Sequence, residues 1–175
     1  MQTKQQNRWK RLNVSYENYQ KFIAKKDDRF KLTLIDLLYV SNFIGGNATI
    51  DERESEVNEK LILYSDKLRE ITKEFPRQKL SALTDSEIDI LIEKIKQICN
   101  LTNKKATTNV KGFSIMSLTV LLSSYFPDLI PILNKVVTEK DKIKGYLSLI
   151  RKIAKQARKE PDKTLRNIDF EFYTK

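Results

Sequence analysis

Apolar residues along this chain recur at intervals of three and four, the spacing that places them on one face of a helix. Tyr16, Tyr19 and Ile23 follow it within a helix expected over 15–25. Residues 1–14 are polar and basic, with Trp9 and Leu12 as the large apolar groups. They read as a partly ordered arm in which Trp9 packs on the domain. Residues 32–44 are apolar nearly all round through Leu34, Ile35, Leu37, Leu38 and Tyr39, a pattern that belongs in a domain centre. Asp36 interrupts that run, in a capping or solvent-facing role. Gly45-Gly46-Asn47 stops it by supplying left-handed backbone. The glycine pair lacks the spacing of a phosphate-binding loop.

Residues 51–75 form a long amphipathic pattern through Val57, Leu61, Tyr64, Leu68, Ile71 and Phe75. Asp51, Glu52 and Glu54 fall in its first turn and complement the helix dipole, a simpler account than metal binding. Pro76 closes it. Thr84-Asp85-Ser86-Glu87 matches a capping box. Ile88, Leu91, Ile92, Ile95, Ile98 and Cys99 then make an apolar stripe with Cys99 as a buried structural thiol. A polar loop covers 100–109.

The most apolar stretch is 110–137. Gly112 precedes an apolar run of about three turns that ends at Tyr125-Phe126-Pro127-Asp128. A second apolar step contains Pro131 and delivers Asn134. The pattern predicts a tight turn, a buried helix and a proline-marked corner. A further helix is expected over 138–159, with Ile143, Leu147, Ile150, Ile153 and Ala157 facing inward. Lys144, Arg151, Lys155 and Arg158 share its outward face, flanked by Lys140, Lys152 and Lys159. Pro161 breaks it, and a last helix lies within 163–173 through Leu165, Ile168 and Phe172. No alternating run long enough for a strand occurs, and no repeat of fixed period.

Composition narrows the function. The 175 residues hold 40% apolar content, four Gly and four Pro, which suits one helical domain. With one Cys and no His, disulfide frameworks, Cys/His zinc sites and His-dependent triads are excluded. The first residues carry no apolar signal region, and no run is long enough to span a membrane, so a cytoplasmic protein without membrane contact is expected. The net charge of +10 is unevenly placed. Residues 1–100 carry 18 Lys/Arg against 16 Asp/Glu, and residues 101–175 carry 15 against 7. A basic half beside a near-neutral half is the footprint of a polyanion binder.

Val110, Lys111, Gly112, Ser114, Ser117 and Leu118 precede the apolar run Val120-Leu121-Leu122, and the chain ends near Leu165-Arg166-Asn167-Ile168-Asp169-Phe170. The first set resembles the helix-hairpin-helix superfamily of DNA glycosylases, and the second is similar to the terminal helix of small uncharacterised bacterial members. The family pattern runs apolar, Pro, Gly, apolar, Gly, two variable positions, Thr/Ser, Ala, then an apolar helix. Here Val110 takes the first place, Lys111 the Pro, Gly112 the first glycine and Ser114 the second. Ser117 takes the Thr/Ser place and Leu118 the Ala. The resemblance implies a phosphate bound by backbone N–H groups at the following helix N-terminus. Asn134 stands at the family's catalytic aspartate, and Met116 at the lysine nucleophile of lyase-type members. Neither a carboxylate nor an amine is where base excision needs it.

The expectation is an all-α domain over 15–175 behind the arm, with six to eight helices and a helix-hairpin-helix-like element near its centre. It binds nucleic acid, duplex DNA first, through Lys111, Gly112, Ser114, Lys144, Arg151, Lys155 and Arg158. It lacks base-excision activity and needs no cofactor or metal. A rival reading is an accessory module of a bacterial operon whose basic face meets an acidic protein. A third is an active enzyme using Asp128 or Asp36.

Overall fold

The computed structural model describes residues 4–43, 54–132 and 141–174. Among them are seven α-helices and no strand: α1 (Lys4–Ile23), α2 (Leu34–Phe43), α3 (Glu54–Thr72), α4 (Asp85–Asn100), α5 (Ile115–Tyr125), α6 (Lys142–Lys159) and α7 (Leu165–Thr174). A single 3-10 turn spans Leu80–Ala82. The all-α expectation holds. No helix among the described residues is long and apolar enough to cross a membrane.

Six helices form a ring. In order, α1 packs on α2, α2 on α3, α3 on α4, α4 on α6, α6 on α7 and α7 back on α1. The seventh helix, α5, packs against α1 and α2 from within, and every residue from Ser117 to Tyr125 is buried. An α-helix can occupy that place only if its polar groups are satisfied internally. Thr119 Oγ1 donates to the Met116 carbonyl at 2.9 Å, and Ser124 Oγ to the Val120 carbonyl at 2.8 Å. Tyr16 Oη, from α1, donates to the Ser123 carbonyl at 3.0 Å. Each fully buried leucine of α5 contributes about 1.5–3 kcal/mol by leaving water.

The proline corner after α5 is fixed from three sides. Leu80 N donates to the Asp128 carbonyl at 2.9 Å. Tyr146 Oη, from α6, donates to the Pro131 carbonyl at 2.6 Å. Ile132 N donates to Asp169 Oδ2, on α7, at 2.9 Å.

The N-terminal segment departs from the expectation. Residues 4–14 are not an arm: they form the first half of α1, continuous with the helix expected from residue 15. Trp9 is buried, with its ring centroid 5.3 Å from that of Phe170. The Arg166 guanidinium lies 4.2 Å from the Trp9 centroid and 4.5 Å from that of Tyr16. Its Nε and Nη2 also donate to Asn13 Oδ1 at 3.0 and 2.9 Å. Docking on α7 therefore stabilises a helix whose own composition is too polar to announce it.

The second departure concerns α2. Leu37 and Val40 are fully buried, but Ile35 and Leu38 are 52% and 46% exposed, so this helix has one buried face. The expected glycine stop at 45–47 and the acids Asp51 and Glu52 lie outside the described residues.

Candidate nucleic-acid interface

The outer face of α6 is built by helix geometry. Ile150, Ile153, Ala154 and Ala157 bury one side against α4 and its neighbours. At 3.6 residues per turn, Lys144, Arg151, Lys152, Lys155, Arg158 and Lys159 fall within an arc of roughly 120° on the opposite side. All six are exposed. Asp141 caps the helix, accepting from Ile143 N at 3.0 Å and Lys144 N at 3.1 Å.

The arginines and lysines of this face have different environments. Arg158 Nη1 pairs with Asp85 at 2.6 Å, and its Nη2 donates to the Leu83 carbonyl at 2.6 Å. Arg151 pairs with Asp89. Both aspartates lie on α4, one turn apart, so the arginine edge of α6 is already matched to a carboxylate row. No ion pair engages Lys144, Lys152, Lys155 or Lys159 among the described residues. Thus Lys144 and Lys155 present unpaired charge as the sequence suggests, Lys152 and Lys159 widen the row, and Arg151 and Arg158 serve α4 as well. Pairs this exposed are worth only about 0–1 kcal/mol, so a phosphate can replace either carboxylate at little cost. Arg151, Lys155 and Arg158 line a cleft of ≈ 340 Å³ with Asp85 and Ile88.

The expected turn is present at the start of α5. Gly112 has φ +94°, a conformation that requires glycine, and Phe113 N closes the turn on the Val110 carbonyl at 3.0 Å. Ser114 is the N-cap with φ −93° and ψ 169°, an extended backbone open to any residue, so the second family glycine is not needed for this geometry. The Ser114 side chain makes no capping bond, and the N-terminus of α5 opens onto a cleft of ≈ 730 Å³ lined by Lys104, Lys111, Gly112, Ser114 and Ile143 among others. Ile143 brings the first turn of α6 to this cleft, and Lys144 follows it.

The surroundings of the turn differ from a short hairpin. α4 ends at Asn100, and residues 101–114 separate it from α5. That segment is a series of turns closed by Thr108 Oγ1 donating to the Leu101 carbonyl at 2.7 Å and Thr102 Oγ1 to that of Cys99 at 2.7 Å. Asn134 lies outside the described residues. Met116 is half-buried and offers no amine.

Asp36 is fully buried and accepts from Tyr19 Oη at 3.0 Å, Thr33 N and Oγ1 at 2.8 Å each, and Lys26 Nζ at 2.8 Å. It caps α2 and ties it to α1, and it does not face solvent. Asp128 is exposed at the corner, where its carbonyl holds Leu80. Cys99 is buried, and burial pushes its thiol up to about 12, which keeps it protonated and unreactive. No cluster of acids and Cys suited to a metal occurs among the described residues.

Sequence reasoning finds the lysine row from its spacing alone. It misses the aspartates opposite, because Asp85 and Asp89 stand four apart and Arg158 and Arg151 seven apart, and only the packing of α4 on α6 pairs them.

Compared with known protein families, curated proteins and solved structures, the chain finds no match.

Proposed function

We propose that this chain is a nucleic-acid-binding protein, with duplex DNA as the first ligand to test, and that α6 is its main contact surface. The observation that supports it is the row of exposed lysines Lys144, Lys152, Lys155 and Lys159, which have no ion-pair partner among the described residues and are anchored on a helix whose other side is core. The helix from Lys144 to Arg158 rises about 21 Å, the run of about six phosphates along one DNA strand. Lysines on a helix surface act as point charges on phosphate and read no base sequence. Lys111, Gly112 and Ser114 add a second contact at the N-terminus of α5, where the resemblance to hairpin-type glycosylases places a phosphate. With Asn134 and Met116 at the family's chemical positions, the proposal is binding without base excision.

A second reading keeps the same face and changes the partner. Arg151 and Arg158 already hold carboxylates, the contact that an acidic protein would offer.

Charge reversal tests the α6 face. Lys152→Glu with Lys155→Glu should weaken duplex binding at least tenfold at low salt and leave the thermal midpoint unchanged. Unaltered affinity would remove α6 from the proposal.

A further inference from the structure

A second group of cations lies on the loop between α3 and the 3-10 turn that packs on α6. Lys73, Arg77 and Lys79 follow α3 on the loop that Pro76 interrupts, and all three are exposed. None has an ion-pair partner among the described residues. They rim a cleft of ≈ 480 Å³ whose other walls include Phe75, Phe126 and Asp128. Lys73 sits just past the C-terminus of α3 and complements its dipole, which accounts for it without a ligand. Arg77 and Lys79 have no such local reason.

The loop is held rigidly. Leu80 N donates to the Asp128 carbonyl on one side, and the Leu83 carbonyl accepts from Arg158 Nη2 on the other. Phe75 packs on Phe126 with centroids 5.0 Å apart. The 3-10 turn between these anchors packs on α6.

Shared walls connect the clefts. Lys79 and Asp128 line both the ≈ 480 Å³ cleft and a neighbouring one of ≈ 90 Å³, which Ala157 and Lys163 also line. One residue beyond Ala157, Arg158 lines the cleft it shares with Arg151 and Lys155. Lys163 contributes no net charge to this path, since it pairs with Glu171 and with Glu160, the latter at 3.0 Å. Asp128 and the exposed Asp162 also line the ≈ 90 Å³ cleft, so the cations along this route are Arg158 at one end and Lys79 and Arg77 at the other.

Resting on the nucleic-acid reading above, we propose that the bound strand continues past the end of α6 and that Arg77 and Lys79 each contact a backbone phosphate beside the ≈ 480 Å³ cleft. Asp128, the acid on that rim, opposes the same phosphates.

Salt-dependent duplex binding tests this with two lengths of DNA. The proteins are wild type, Arg77→Ala/Lys79→Ala, Asp128→Asn, and a charge-matched control, Lys21→Ala/Lys67→Ala, whose residues line none of these clefts. Each phosphate contact contributes about 0.9 to the slope of log affinity against log salt. On a duplex of about twenty base pairs, the Arg77/Lys79 variant should lose close to two units of slope, and Asp128→Asn should bind more tightly. On a hairpin of about seven base pairs, which spans little more than α6, the Arg77/Lys79 variant should match wild type. If wild type binds the long duplex and the variant behaves as the control does, the extended path is wrong while α6 stands. If wild type binds neither duplex, the nucleic-acid reading fails and takes this proposal with it. Displacement of DNA by poly-glutamate of equal charge at equal concentration would assign the path to an acidic protein and overturn the proposal.

Discussion

Lys26 Nζ lies 2.8 Å from Asp36 Oδ2 and 3.0 Å from Oδ1, joining the end of α1 to the start of α2 through a carboxylate that is wholly excluded from solvent. The same ammonium donates to the Lys31 carbonyl at 2.6 Å, which closes the intervening loop. Tyr19 and Thr33 fill the remaining acceptor positions of the carboxylate. Each polar group in this cluster is satisfied by another, so removing one member strands the rest.

Asp36→Ala should therefore destabilise the protein by about 3–5 kcal/mol, the cost of leaving a buried charge without its partner. Asp36→Asn, which keeps the hydrogen bonds to Thr33 within reach, should cost less. Urea unfolding of the two variants measures both. A loss under 1 kcal/mol for Asp36→Ala would show that Asp36 does not hold α1 to α2.

Arg166 makes the corresponding junction between α1 and α7, with its guanidinium over Trp9 and Tyr16. Arg166→Lys retains the charge and loses the planar stack, and should cost about 1–3 kcal/mol. Deleting residues 1–14 removes Trp9 and half of α1 and should lower the thermal midpoint sharply. A truncated chain as stable as the whole would restore the picture of a loosely attached arm.

Alkaline pH should unfold the protein early. Burial raises the pKa of Tyr19, Tyr64, Tyr125 and Tyr146 above the ordinary 10.0, and that of Cys99 from 9.0 to about 12. These groups are neutral when protonated, so the unfolded chain loses their protons first as pH rises. The stability they contribute is complete below about pH 9 and falls as pH climbs through the unfolded values toward the folded ones. Tyrosinate absorbance should rise together with loss of helix, in one step. Titration of most tyrosines with the helices intact would contradict this burial.

The helices were legible wherever burial imposes a period. The stripe from Ile88 to Cys99 and its Thr84–Glu87 capping box are both present as spaced. Gly112 marked a turn that needs glycine, and its φ of +94° bears this out. What the pattern misreads depends on partners distant in sequence. Trp9 packs on the domain as expected, but residues 4–14 look too polar for a helix until Phe170 and Arg166 arrive from the far end of the chain. Asp36 caps α2, one of the two roles its place in the run allows, but its burial shows only when Lys26 and Tyr19 are folded over it. Ile35 and Leu38 look central because hydropathy does not say which face a neighbour covers. At the candidate interface, spacing identifies the lysines of α6 but not the aspartates of α4 that occupy its arginines. Arg77 and Lys79 belong to no periodic element, and only the packing on α6 of the 3-10 turn that follows them brings their loop to that helix.

The most direct measurement is fluorescence anisotropy of a labelled duplex across a salt series, with one duplex undamaged and one carrying an abasic-site analogue. Engagement of the four α6 lysines predicts tight binding at low salt and a contribution of about −3.6 to the slope of log affinity against log salt. The Gly112 turn predicts a preference for the distorted duplex. Absence of binding to either duplex at low salt would contradict the account.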